Sequence, residues 1–291
     1  MKVVTSHATV RREQDFAVYV LSSRDAEVAV VPELGARIIS LKNRRTGREW
    51  MWHPAEGLNL FQNCLGDDFS NGPLVGMDEC LPTIEPCVWQ GRKLPDHGEV
   101  WAAAWDVDGE AWKSGLLKTS VHLNISPLDF ERTIELDENV IRLNYQLVNR
   151  SSVPEYFIWA MHPLLRLQPG DRLVLPPSTR KSMNGEGWVE ALDSAIPEGD
   201  SSKVFAGPLK AGFAAIHNGQ NGDAVEFEWT PAENNGLGLW LTRGGWHGHH
   251  HFAMEPTNSG TDALTTAAAR QWCGLVQGAS SMKWQVRIRI R

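Results

Sequence analysis

The period of two in the apolar residues constrains this chain more than any other feature. In "WQVRIRIR", Trp284, Val286, Ile288 and Ile290 share one face, while Gln285, Arg287, Arg289 and Arg291 share the other. In "VIRLNYQLVNRS", Ile141, Leu143, Tyr145 and Leu147 alternate with Arg142, Asn144 and Gln146. Such alternation fits half-buried strands, because successive side chains of a strand point to opposite faces. "EVAVVPELGARIISLKN" reads as two short strands broken at Pro32 to Gly35, where proline removes a ladder donor and glycine permits a turn. "IELDENVIRL" reads as a hairpin turning through Asp137 to Asn139. Only "TDALTTAAARQWCGL" has helical potential, and it is short. Many short strands between turn signals, with no repeat and no Pro/Ser/Gly-rich linker, predict an all-β sandwich or barrel forming a single domain over residues 1–291.

Charge narrows the partners. The chain is 42% hydrophobic and 22% charged, with a net charge of -7. That balance predicts no nucleic-acid partner, since a phosphate backbone needs a clustered basic surface. The three arginines at the end read as the wet face of a terminal strand. "MKVVTSHATVRREQDF" has no apolar core long enough for a signal peptide, and no run is long enough to span a bilayer. The expected setting is the cytoplasm, with no membrane partner. Cys64, Cys80, Cys87 and Cys273 form neither a CxxC pair nor a metal-ligand spacing, so they read as free thiols. Tryptophan outnumbers tyrosine by 13 to 3. Its flat face packs large cores and also stacks on sugar rings.

Four stretches carry groups able to do chemistry. "GMDECLPTIEP" sets Asp78 beside Glu79 in what reads as a Gly/Pro-bounded loop. "PDHGEVWAAAW" puts His97 before Gly98 in a turn that feeds an aromatic strand. "YFIWAMHPLLRL" ends an aromatic strand at His162, before Pro163. "GWHGHHHFAMEPTNSGTDAL" holds Trp246, four histidines and then Glu255 against Pro256. Taken singly, adjacent acids are a solvated surface, His97 bonds its own turn and His162 packs a strand end. Glu255 differs, because a carboxylate after "HFAM" sits in or beside an apolar strand, where it is costly unless hydrogen-bonded or functional.

Taken in order, "VVPELGARIISLKNRRTGREWMW", "PDHGEVWAAAW", "LNYQLVNRSSVPEYFIWAMHPLLRL", "FAMEPTNSGTDAL" and "KWQVRIRI" resemble the galactose mutarotase-like (aldose 1-epimerase) family over nearly the whole chain. The resemblance implies a large twisted antiparallel β-sandwich with a sugar-binding groove on a concave face. It implies Glu255 as general base, with His162 and His97 assisting at the ring oxygen. Relatives often carry an arginine in the loop before the HG turn, which sugar-phosphate members use on the ligand. This chain has "GMDECLP" there instead, which argues against a phosphorylated substrate. Asp78 and Glu79 are read as orienting sugar hydroxyls, since carboxylates accept hydrogen bonds well. Trp246 is read as lining the groove mouth.

The residue types suit the implied chemistry independently. Exchanging the anomers of an aldose removes the C1 hydroxyl proton and protonates the ring oxygen, work for a carboxylate and an imidazole. No cofactor or metal is expected, and the expected partner is a small-molecule sugar. Two rival readings stand beside this one. His249, His251 and Glu255 fit H-x-H-x3-E, a spacing familiar from cupin metal sites, and on one strand they face the same way. That account lacks a second histidine motif and leaves "PDHGEVW" and "AMHP" unexplained. The other rival keeps the groove as a carbohydrate-binding protein without catalysis.

Overall fold

Strand alternation builds two large sheets. The computed structural model describes residues 6–181, 192 and 195–291. A nine-stranded sheet runs in spatial order His7–Glu13, Phe16–Ser22, Ala26–Val31, Arg37–Asn43, Met77–Cys80, Ala160–Leu165, His250–Thr257, Gly236–Arg243 and Ser201–Ala206. An eight-stranded sheet runs Asp171–Val174, Gly212–Asn218, Ala224–Trp229, Ser281–Ile290, Val140–Asn149, Leu128–Asp137, Leu117–His122 and Asp106–Val107. Neighbours in both sheets are antiparallel. One face of each contributes to a shared apolar core. Val28, Ile38, Met161 and Met254 come from the first sheet, and Phe130, Leu143, Val286 and Ile288 from the second. Burying alternate residues of two facing sheets is what a sandwich requires.

Most local expectations match. The chain breaks between Ala26–Val31 and Arg37–Asn43, and Asp137 pairs with Val140 across the hairpin turn. Ser281–Ile290 buries Trp284, Val286, Ile288 and Ile290, and it is flanked by a strand on each side. The predicted helix is Leu264–Ala269. Short helices at Gly109–Lys113 and Pro177–Lys181 lie outside the expectation.

Three expectations change. Asp78 and Glu79 lie in the strand Met77–Cys80 rather than a loop. His162 does not end its strand, which continues through Pro163 to Leu165; proline's fixed φ suits extended backbone and costs only a donor. "WAAAW" is not a strand. Its two indoles instead donate to main-chain carbonyls, Trp101 to Asp96 at 2.8 Å and Trp105 to Val100 at 2.9 Å. All four cysteines are free. Among the described residues no helix is long and apolar enough to cross a membrane.

Candidate active site

On the outer face of the nine-stranded sheet, neighbouring strands each place one residue in a single cross-strand row. Ile38 pairs with Met77, which sets Arg37 opposite Asp78. His162 pairs directly with Asp78. The strand of His162 pairs with the next at Ala160–Thr257 and Leu164–Ala253, a register that sets His162 opposite Glu255. Gly238 pairs with Glu255 from the far side. Period two accounts for the selection. Met77, Met161 and Met254, each adjacent in sequence to a row member, point the other way into the shared core. Pro163 and Pro256 follow His162 and Glu255 and cannot donate to a ladder.

Basic and acidic side chains alternate along the row. Arg37 Nη2 lies 2.9 Å from Asp78 Oδ2, and His162 Nδ1 lies 3.2 Å from Asp78 Oδ1. The other ring nitrogen, Nε2, is 3.8 Å from Glu255 Oε1. Lys203, from the edge strand, brings Nζ to 3.2 Å from Glu255 Oε2 and 2.7 Å from Asp262 Oδ1. Arg37, Asp78, His162 and Glu255 are all buried. Burial works against the charge on Asp78, but Arg37 and the His162 hydrogen bond outweigh it and hold the carboxyl below its usual range. Burial also opposes charge on Lys203, where Glu255 and Asp262 outweigh it and keep the ammonium's pKa above its ordinary value. Around Glu255 the basic neighbours are Lys203 and His162, and no main-chain or hydroxyl group of the described residues donates to it. A buried carboxylate held only by these two groups keeps acceptor capacity to spare.

A pocket of about 280 Å³ opens beside this row. Phe69, His97, His162, Lys203, Trp240 and Trp246 line it, with the acids Asp68, Glu85, Asp96 and Asp262. Its volume is near the lower end for small-molecule sites, enough for one small ligand. Glu255 lies behind two of the lining residues, His162 and Lys203, and touches both. Trp240 stacks parallel to the His162 ring at 6.0 Å, and Trp246 meets Trp240 edge-on at 5.1 Å.

His97 reaches the pocket from its turn. His97 and Gly98 both occupy the left-handed region, at φ 55 and φ 74. A Cβ at Gly98 would collide with the Leu81 carbonyl, so the turn needs glycine there. The His97 amide donates to Ile84 O at 2.7 Å. Its ring stacks on Phe69 at 4.0 Å, with Nδ1 3.0 Å from Asp96 Oδ1 and its centroid 5.0 Å from that of His162. Burial, with His162 nearby, holds the His97 pKa below its ordinary value despite Asp96.

The fold therefore brings the three expected catalytic residues together. Of the residues expected to orient a ligand, only Trp246 lines the pocket. Asp78 lies behind His162, as partner to that ring and to Arg37. Glu79 is corrected outright, because it points into the shared core. There Arg132 Nη1 and Tyr145 Oη donate to Oε1, and Trp159 Nε1 donates to Oε2, each at 2.9 Å. Adjacent strand residues face opposite sides, so Asp78 and Glu79 cannot share a role. Burial pushes the Glu79 carboxyl above its usual range, against the pull of Arg132.

Lys203, Asp262, Phe69 and Trp240 are site residues the sequence reading missed. The only trace of Lys203 is a lone lysine in "SSKVFA". His251 shares the outer face with Glu255 and is buried between Trp52 and Trp240, its ring 6.4 Å from that of His249. Among the described residues, no three His, Cys, Asp or Glu side chains form a set able to hold a metal. The H-x-H-x3-E spacing thus has no converged ligand set behind it.

No protein-family model matches the chain, and no curated protein matches it in sequence. Solved structures match its fold. The Slr1438 protein of Synechocystis sp. PCC 6803 is 16% identical at a TM-score of 0.72, covering 100% of this chain and 98% of its own. A galactose mutarotase-like protein from Clostridium acetobutylicum is 14% identical at a TM-score of 0.73, covering 99% of both chains. A galactose mutarotase related enzyme from Lactobacillus acidophilus is 14% identical at 0.69, covering 94% of this chain and 97% of its own. The chain has the galactose mutarotase-like fold.

Proposed function

We propose that the protein is an aldose mutarotase, exchanging the anomers of a free or modified aldose by acid–base catalysis. One observation carries this reading: a fully buried carboxylate, Glu255, touches two groups that line a small aromatic-walled pocket. In the reaction Glu255 takes the proton of the C1 hydroxyl, and the electron pair of that O–H bond becomes the second C1–O1 bond. The C1–O5 bond breaks with its pair on O5, which takes a proton from His162. Rotation about C1–C2 and reversal of these steps close the ring on the other face. Asp78 fixes the ring orientation of His162 through Nδ1, leaving Nε2 for the transfer. His97 hydrogen-bonds the sugar beside it, and the Trp246 and Trp240 faces pack against the pyranose.

A second reading has its own support. The Lys203 ammonium 3.2 Å from Glu255 already occupies that carboxylate as a buried ion pair, which favours sugar binding without turnover. Anomer exchange measured by NMR over a panel of free aldoses and uronic acids separates the two. Acceleration for at least one sugar supports the mutarotase. Binding with no acceleration of any sugar transfers the weight to the binding protein.

A further inference from the structure

Lys203 is the pocket-lining neighbour of Glu255. Its strand is two removed from that of Glu255, with Gly238 between them: Phe205 pairs with Gly238, and Lys203 with Trp240. With no side chain at Gly238, the lysine can cross to within 3.2 Å of Oε2. The lysine also lines the pocket, with 26% of its side chain exposed against 0% for Glu255. With Glu255 behind it, Nζ is the first of the two groups that a hydroxyl oxygen in the pocket meets. Asp262, 2.7 Å from Nζ, anchors the ammonium when Glu255 turns to the sugar. The two carboxylates overcome burial and keep the amine protonated, which removes it as a nucleophile.

We propose that Lys203 is a further catalytic residue, donating a hydrogen bond to the anomeric oxygen O1. The proposal rests on the mutarotase reading. During ring closure the O5 hydroxyl attacks C1 and gives its proton to His162. The π pair of the aldehyde collects on O1, and Glu255 returns a proton there. The ammonium faces that developing charge throughout and neither gains nor loses a proton. A fixed donor at a developing oxyanion acts on the transition state more than on the bound sugar.

The test compares Lys203→Met, which keeps the stem and removes the charge, with Lys203→Arg, which keeps the charge. Anomer exchange by NMR gives kcat and KM, and thermal unfolding checks the fold. The expected result is a kcat lower by about 10²–10³-fold in Lys203→Met, as for loss of one oxyanion donor. KM should move by less than about threefold, the pattern of a transition-state interaction. Lys203→Arg should recover part of the rate, and cyanoborohydride with sugar should leave no adduct on wild-type Lys203 by mass spectrometry. Full or increased exchange in Lys203→Met overturns the proposal, as does a trapped adduct. Should Lys203→Met not fold, Asp262→Asn decides: a kcat unchanged once the anchor is lost overturns the proposal, and a loss of roughly tenfold supports it. A wild type that exchanges no sugar overturns the mutarotase reading, and this inference with it.

Discussion

Gly238 faces Glu255 across a hydrogen-bonded pair of strands, and a Cβ there would stand 2.6 Å from Oε2. The carboxylate has its position only because that neighbour has no side chain. Gly238→Ala should push Glu255 off the line to His162 and Lys203. We expect anomer exchange to fall roughly 100-fold, the scale of a misplaced catalytic group. The stability cost should be about 1–3 kcal/mol, as for overpacking. Exchange kinetics beside urea unfolding would check this, and a fully active variant would show that the contact is easily relieved.

Glu255→Gln keeps the shape of the side chain and removes its basicity. The rate of anomer exchange should drop about 10²–10⁴-fold, the usual contribution of a general base. Sugar affinity by calorimetry should change little. Retained activity would remove Glu255 from the chemistry.

Glu79 and Asp78 are neighbours in sequence with opposite surroundings. Glu79→Ala leaves Arg132 buried without its carboxylate, so stability should fall by about 3–5 kcal/mol. Sugar affinity of the folded variant should hold, since Glu79 faces the core. Loss of affinity at unchanged stability would mean that the Glu79 side chain faces the pocket.

Acid should weaken the fold in two stages. The folded His97 and, more strongly, the buried His251 resist a proton that the unfolded chain accepts near the ordinary value of 6.5, so stability falls as pH drops through that value and this loss is complete below their folded pKa values. Asp78, held below its ordinary value of 3.8, contributes stability that is present above that value and lost as pH falls through the folded pKa. Urea unfolding between neutral and acid pH should show both stages in the wild type. His97→Gln should shrink the first stage and leave the share of His251, and an unchanged first stage would assign it to His251 alone.

How much of this was legible in sequence follows from range. Alternation around Ile141 and Val286 is local, and it pointed to the strands and to the sandwich. The resemblance picked out His162 and Glu255, which the sheet register brings together, and His97, which joins them from its turn. Asp78 and Glu79 read as a loop because acids are depleted in strands and glycine and proline bracket them. What keeps them in a strand is a pair of arginines, Arg37 and Arg132, remote in sequence from them and from each other. Lys203 was silent for the same reason: its meaning comes from Glu255 and Asp262, each more than fifty positions away.

The paired acids also proofread the alignment of their strand. Asp78 meets Arg37 on one side of the sheet, and Glu79 meets Arg132 on the other. Sliding Met77–Cys80 by one position would swap the faces of the two carboxylates and orphan both guanidiniums in dry surroundings. Hydrophobic pattern alone penalises such a slip softly, because methionine and cysteine flank the acids and tolerate either environment. The ionic pairs make the penalty steep. A single-residue insertion between Val75 and Met77 would thus misthread the strand more severely than several substitutions within it.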